Sequence, residues 1–217
     1  MKPKYSISPF ILLSFISLFF IDRDAVFELI FKLGADISLL VFYLASTKKI
    51  NKWYLFVLID YCLMAYFLIY DGTLLFGVDY LLIGTFLMIF NRIFYIAVPL
   101  KSIYKIQKKK LFTYSLLFFI PAFVALPLII SFLNQFSIFA IIIGVLSALM
   151  CSFAFLRNLT FNSSKNAMFF IALLILAIAD FLIVYNKFIL YDIFIVITYS
   201  TLYYLSRYLI CKSLIKT

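Results

Sequence analysis

A single carboxylate interrupts a long apolar run near the end of the sequence. The segment 172–188 reads ALLILAIADFLIVYNKF, and Asp180 is its only acidic residue. An ionised carboxylate at the centre of a membrane helix costs about 2.5 to 3.5 kcal/mol even on the lenient insertion scales. Asp180 is therefore expected to be neutral, paired, or in contact with water, and acids placed in this way usually serve a function.

Other ionisable residues also lie inside apolar runs. Lys32 is predicted at the same depth in a membrane as Asp180. Asp36 follows one helical turn beyond Lys32 on the same face, and Asp60 is level with Asp36. An ion pair of Lys32 with Asp180 or Asp36 would be a structural explanation, but intramembrane ion pairs more often mark functional sites.

Two arginines, Arg92 and Arg207, also fall within apolar runs. Both lie nearer the end opposite to Lys32, where long side chains can extend to the lipid head groups. We expect them to be interface anchors, or partners of Asp60.

The amino-acid composition indicates the environment of the chain and excludes some classes of catalytic mechanism. Of its 217 residues, 67% are hydrophobic and 13% are charged, which indicates a bilayer. There is no histidine, so serine–histidine hydrolysis is excluded, and the three cysteines have no metal-ligand spacing. No metal or cofactor is expected. The net charge of +10 is divided among short segments between apolar runs, so a nucleic-acid partner is not expected either.

Eight apolar runs have the length of a membrane-spanning helix. They predict an all-α, polytopic membrane bundle that forms one transmembrane domain over residues 1–217. Most basic residues then lie on the same side as both termini, which predicts cytoplasmic termini and the cell membrane, or the cytoplasmic membrane of a bacterium. The predicted runs are 5–21, 26–46, 53–70, 74–100, 111–133, 136–156, 167–185 and 193–211.

Several motifs along the chain carry a family resemblance. The small-residue-rich run 172–180 ends in Ala179-Asp180, where the family usually has Ser-Asp, and an Asn-Lys-Phe follows at 186–188. On these motifs the chain resembles the YhhN and lysoplasmalogenase-like membrane proteins. Further matches are Lys32, the segment 84–95, Met150, Ala154, Arg157, the loop 162–164, and Thr198-Tyr199.

Two positions depart from the family pattern. Arg92 precedes Tyr95 where the family usually has His-x-x-Tyr, and the usual Gly-Asp of its third span falls at Met64 and Ala65. Asp60 lies five residues before Ala65, which places it about 140° around the helix and about 7.5 Å along it. Asp60 could replace the missing acid only if that helix is rotated or kinked.

The resemblance implies hydrolysis of the vinyl ether bond of a lysoplasmalogen, with release of a fatty aldehyde and a glycerophospho-base. One acid would donate a proton while a second, ionised group stabilises the oxocarbenium ion or activates water. The predicted catalytic residues are Asp180, Asp60 and the electrostatic partner Lys32. The predicted substrate-binding residues are Asp36, Arg92, Tyr95, Asn186 and Tyr199.

Two alternatives remain open at the level of sequence. If Ala65 occupies the place of the second acid, the chain could be a non-catalytic lipid-binding or structural protein of the same fold. The other alternative is a small transporter that uses Asp36, Asp60 and Lys32, although the sequence has no internal repeat. For the hydrolase and for the non-catalytic protein, the predicted partner is a membrane lipid. The sequence does not indicate an oligomeric state.

Overall fold

The computed structural model describes residues 6–69, 80–103, 108–133 and 137–215, and within them the regular structure is entirely helical. Each of the eight predicted apolar runs overlaps one helix, so the prediction of an all-helical chain is confirmed for this part of the sequence. The helices are α1 (Ser8–Phe20), α2 (Ala25–Ser46), α3 (Lys52–Ile69), α4 (Tyr80–Ile103), α5 (Lys108–Leu133), α6 (Ser137–Phe161), α7 (Ser164–Phe188) and α8 (Ile193–Leu214).

Among the described residues, four helical segments are long and apolar enough to cross a membrane: Leu82–Leu100, Ser137–Phe161, Ser164–Phe188 and Ile193–Leu214. A helix of about 20 residues matches the roughly 30 Å hydrocarbon core of a bilayer. Large apolar side chains cover the exposed surface as well, and Phe194 is 74% exposed. These features indicate a helical membrane protein.

Side-chain caps explain where several helices begin. Asp24 Oδ1 accepts hydrogen bonds from the backbone N–H groups of Val26 at 2.9 Å and Phe27 at 3.1 Å, at the start of α2. Ser163 caps α7 and Asp192 caps α8 in the same way. Such caps satisfy N–H groups that have no partner within the helix. They allow short connections between successive long helices.

The chain divides into two compact units, one formed by residues 1–91 with 214–217 and the other by residues 92–213. In the first unit, α1 packs against α2. A Cβ atom at Gly34 would lie 3.4 Å from Cδ1 of Leu13, an ordinary van der Waals distance, so Gly34 faces α1. The rings of Phe20 and Phe31 stack with centroids 5.4 Å apart at one end of this helix pair.

Candidate functional site

Asp180 lies in the second unit on the buried face of α7, and only 4% of it is exposed. The face repeats every three to four residues and includes Ala172, Leu176 and Ala179. Small side chains on such a face let neighbouring helices come close. The helical period of the sequence therefore turns Asp180 inward, away from the lipid-facing side of α7.

Arg92 of α4 is the cation that pairs with Asp180. Its Nε donates to Oδ2 of Asp180 at 2.8 Å, and its Nη2 bonds to both carboxylate oxygens. The residue is fully buried. A charge-assisted contact of this kind fixes the direction of the carboxylate as well as its charge.

Two further helices contribute hydroxyl groups to the same carboxylate. The hydroxyl of Tyr203 on α8 donates to Oδ1 of Asp180, and Oγ of Ser147 on α6 lies 3.5 Å from Oδ2. The guanidinium of Arg207 lies 5.6 Å from the centroid of the Tyr203 ring. We call Arg92, Ser147, Asp180 and Tyr203 the Asp180 centre, which joins four helices of the second unit at one carboxylate.

The Asp180 centre can hold a carboxylate in one orientation and compensate its charge. Burial of an ion pair costs solvation energy, which is offset only if the geometry is good and the remaining hydrogen-bonding positions are used. Arg92 and Ser147 supply donors to Oδ2 of Asp180, and Arg92 and Tyr203 supply donors to Oδ1. A carboxylate held in this way can stabilise a developing positive charge on a substrate or orient a water molecule.

Asp60, the predicted second acid, lies on α3 in the first unit. It is 5% exposed, and one of its oxygens accepts a hydrogen bond from Nδ2 of Asn91 at 3.0 Å. Ala65, about 140° away around the helix, is buried as well. Asp60 is therefore buried although it lies on a different face from the family position, because more than one face of α3 is covered.

The partner of Lys32 lies on its own helix and is neither Asp180 nor Asp36. Nζ of Lys32 forms an ion pair with Oε1 of Glu28, one turn earlier on α2. Residues four apart on a helix meet without any tertiary arrangement, which favours this pair. Asp36 is 1% exposed within the first unit. The catalytic role of Lys32 stays a prediction, and the cation on Asp180 is Arg92.

The remaining predicted binding residues have different environments. Tyr95 is fully buried on α4, one turn after Arg92. Oδ1 of Asn186 accepts a hydrogen bond from the backbone N–H of Asp192 at 2.9 Å, so this side chain stabilises the connection between α7 and α8. Tyr199 is partly exposed on α8.

Sequence reasoning did not identify two members of the Asp180 centre, Ser147 and Tyr203. Tyr203 belongs to a tyrosine-rich stretch of α8 that is equally consistent with packing. Ser147 follows the buried face of α6, four residues after Ile143 and four before Cys151. The sequence shows Ser147 as a polar residue on an apolar helical face. This position does not indicate that Ser147 contacts Asp180.

Neither metal ligands among the described residues nor similar proteins assign a role to the Asp180 centre. Over the residues described, no group of three or more His, Cys, Asp and Glu side chains is arranged to hold a metal ion. Compared with protein-family models, with curated proteins and with solved structures, the chain has no significant match. The function is therefore inferred from the geometry of the Asp180 centre together with the family resemblance of the sequence.

Proposed function

We propose that the protein is a multi-pass membrane hydrolase of the lysoplasmalogenase type, which cleaves the vinyl ether bond of a lysoplasmalogen-type lipid. The observation that carries the proposal is the Asp180 centre. A buried carboxylate and guanidinium among apolar helices are costly, and they usually mark a functional site in membrane proteins. Asp180 is also the residue at which the family resemblance is strongest.

The proposed reaction adds one water molecule across the vinyl ether. A proton is added to the alkenyl carbon that is not bonded to oxygen, which leaves an oxocarbenium ion. Water attacks this ion to form a hemiacetal, and the hemiacetal breaks down to a fatty aldehyde and the free glycerol hydroxyl. Asp180 stabilises the cation or activates the water, while Arg92 and Tyr203 orient its carboxylate. Asp60 stays the predicted second carboxylate.

The proposal includes a topology in which all eight helices span the cytoplasmic membrane and both ends of the chain are cytoplasmic. The agreement between the helix bounds and the apolar runs supports it, and so does the clustering of basic residues on one side. A C-terminal fluorescent-protein fusion should be fluorescent, and a C-terminal alkaline phosphatase fusion should be inactive. The reverse pattern would contradict this topology.

Substitution of Asp180 tests the enzymatic proposal. Purified protein should release aldehyde from a lysoplasmalogen, and Asp180→Asn should abolish this release because the amide carries no negative charge. Asp22→Asn is the matched control. Asp22 is exposed, and its φ of 58° lies in the left-handed region that asparagine tolerates well. A rate for Asp180→Asn equal to that of the wild type would refute the proposal.

A specific observation also favours a non-catalytic lipid-binding or structural protein. Both oxygens of Asp180 already accept hydrogen bonds from side chains of the protein. In that case the Asp180 centre serves only to join four helices. Wild-type protein would release no aldehyde from any alkenyl lipid, while Asp180→Asn would still lower the thermal stability. Aldehyde release by the wild type would reject this alternative.

A further inference from the structure

The contacts within the Asp180 centre differ in length, and the contact of Ser147 is the longest. Nε of Arg92 lies 2.8 Å from Oδ2 of Asp180, whereas Oγ of Ser147 lies 3.5 Å from the same oxygen. Hydrogen bonds between two oxygen atoms normally measure about 2.5 to 3.0 Å. The carboxylate is therefore held by Arg92 and Tyr203, and Ser147 faces it across a longer distance.

Other hydroxyl groups on α6 bond to the backbone of their own helix. Ser152 donates to the carbonyl oxygen of Ala148 at 2.7 Å, and Thr160 donates to that of Leu156 at 2.8 Å. Serine and threonine commonly satisfy their hydroxyls in this way inside a helix. Within the described part of the chain, the hydroxyl of Ser147 contacts Asp180 instead. Its direction toward the carboxylate thus replaces a hydrogen bond of normal length by a weak contact.

Burial makes the orientation of Ser147 costly. The residue is 9% exposed and lies on the buried face of α6 with Ile143 and Cys151. A buried hydroxyl without a full hydrogen bond is unfavourable. A small polar molecule that bonds to both Oγ of Ser147 and Oδ2 of Asp180 would remove this cost. Displacement of the 3.5 Å contact loses little, whereas displacement of Arg92 would break an ion pair.

The chemistry of the proposed reaction identifies this small molecule as water. Formation of the oxocarbenium ion withdraws electrons from the ether oxygen, so a hydrogen bond donated to that oxygen would oppose the step. Water can instead donate its two protons to Oγ of Ser147 and Oδ2 of Asp180, which are both acceptors. A water molecule held in this way keeps a lone pair of electrons free to attack the cation.

We propose that Ser147 is a catalytic residue, which together with Oδ2 of Asp180 binds the water molecule that attacks the oxocarbenium ion. This inference rests on the proposed hydrolysis. The water oxygen forms the new C–O bond, and one water proton passes to Asp180. When the hemiacetal breaks down, this proton moves to the glycerol oxygen. The hydroxyl proton of the hemiacetal returns to the acid that protonated the alkenyl carbon.

The test compares Ser147→Ala with Ser152→Ala in the purified full-length protein, with aldehyde release from a lysoplasmalogen as the assay. Ser147→Ala should lower kcat on the order of 100-fold and leave KM within about 2-fold, because the nucleophile is no longer positioned while the lipid still binds. Ser152→Ala is the matched control. It removes a buried hydroxyl that bonds to the backbone of the same helix, so kcat should stay that of the wild type.

A second variant separates the hydroxyl of Ser147 from its packing. Ser147→Cys keeps a small side chain but replaces the hydroxyl by a thiol, which is a weak hydrogen-bonding group. We expect it to lose kcat as Ser147→Ala does, with an unchanged Tm. If Ser147→Ala does not fold, Ser147→Cys decides, and a wild-type kcat in this variant would overturn the proposal.

Methanol as a competing nucleophile gives a measurement that a purely structural role would not change. Attack by methanol on the oxocarbenium ion forms a mixed acetal, which mass spectrometry detects as the intact lipid plus one methanol. Without the hydroxyl of Ser147, the ratio of acetal to aldehyde should rise by about 5-fold, as expected when water loses one hydrogen bond.

Three outcomes would overturn the role of Ser147 and leave the proposed hydrolysis intact. They are a wild-type kcat in Ser147→Ala, equal losses of kcat in Ser147→Ala and Ser152→Ala, and an unchanged ratio of acetal to aldehyde. Absence of aldehyde release by the wild type would instead refute the hydrolase, and the role of Ser147 with it.

Discussion

The two units each contain a buried aspartate, but the neighbours of the two residues differ. Asp180 in the second unit is bonded to the guanidinium of Arg92 and to the hydroxyl of Tyr203. Asp60 in the first unit accepts a hydrogen bond from the neutral amide of Asn91. The donors to Asp180 thus include a guanidinium and a phenol hydroxyl, whereas the donor to Asp60 from Asn91 is a carboxamide.

The largest expected effect comes from removal of the cation in the second unit. Arg92→Met keeps much of the side-chain length but leaves Asp180 buried without a countercharge, which should cost about 3 to 5 kcal/mol of unfolding free energy. Unfolding in mixed dodecylmaltoside and SDS micelles measures it. Arg92→Lys is the control, because it keeps a charge. A loss below about 1 kcal/mol for Arg92→Met would remove the distinction between the units.

Tyr203→Phe is expected to have an intermediate effect, because it removes one hydroxyl and leaves the ring and the ion pair intact. A hydrogen bond to a charged group contributes about 1.5 to 3 kcal/mol. The same unfolding assay measures the loss. In the proposed hydrolase the variant should lower kcat more than it raises KM, because Tyr203 orients Asp180. Tyr208→Phe, on the same helix, is the control, and equal effects of the two substitutions would contradict the contact.

The smallest effect on stability is expected in the first unit. Asp60→Asn replaces an oxygen acceptor by an amide that can still accept a hydrogen bond from Asn91, so the unfolding free energy should fall by about 1 kcal/mol or less. If Asp60 is the second catalytic carboxylate, aldehyde release should nevertheless be lost. A stability loss as large as that of Arg92→Met would show that the two carboxylates are equivalent. Normal aldehyde release would exclude Asp60 as a catalytic residue.

The helices could be predicted from the sequence because each long apolar run is expected to form an α-helix. In hydrocarbon the backbone hydrogen bonds must be satisfied within the segment, and a helix does this over the length of the run. Asp180 was identified for a related reason, since an acid among apolar residues stands out in one dimension. Arg92 was not identified as the partner of Asp180. Lys32 was the expected partner because it is predicted at the same depth, but depth does not specify the direction in which a helix faces or which helices are neighbours.

The pairings of the charged residues show the same limit. Lys32 bonds to Glu28 through their spacing on one helix, and this contact could have been predicted from the sequence. Arg92 and Asp180 are 88 residues apart, and Tyr203 reaches the same carboxylate from another helix. These contacts depend on the packing of α4, α7 and α8.

The sequence by itself determined that the chain is helical, where its helices lie, and that Asp180 is an acid in an apolar helix. Hydrophobicity and helical period act locally, so a single sequence contains this information. Only the tertiary structure decided that Asp180 is paired with Arg92, that Tyr203 and Ser147 contact the same carboxylate, and that Asn91 donates a hydrogen bond to Asp60. Each of these facts depends on how the helices are rotated and packed, which local hydrophobicity does not specify.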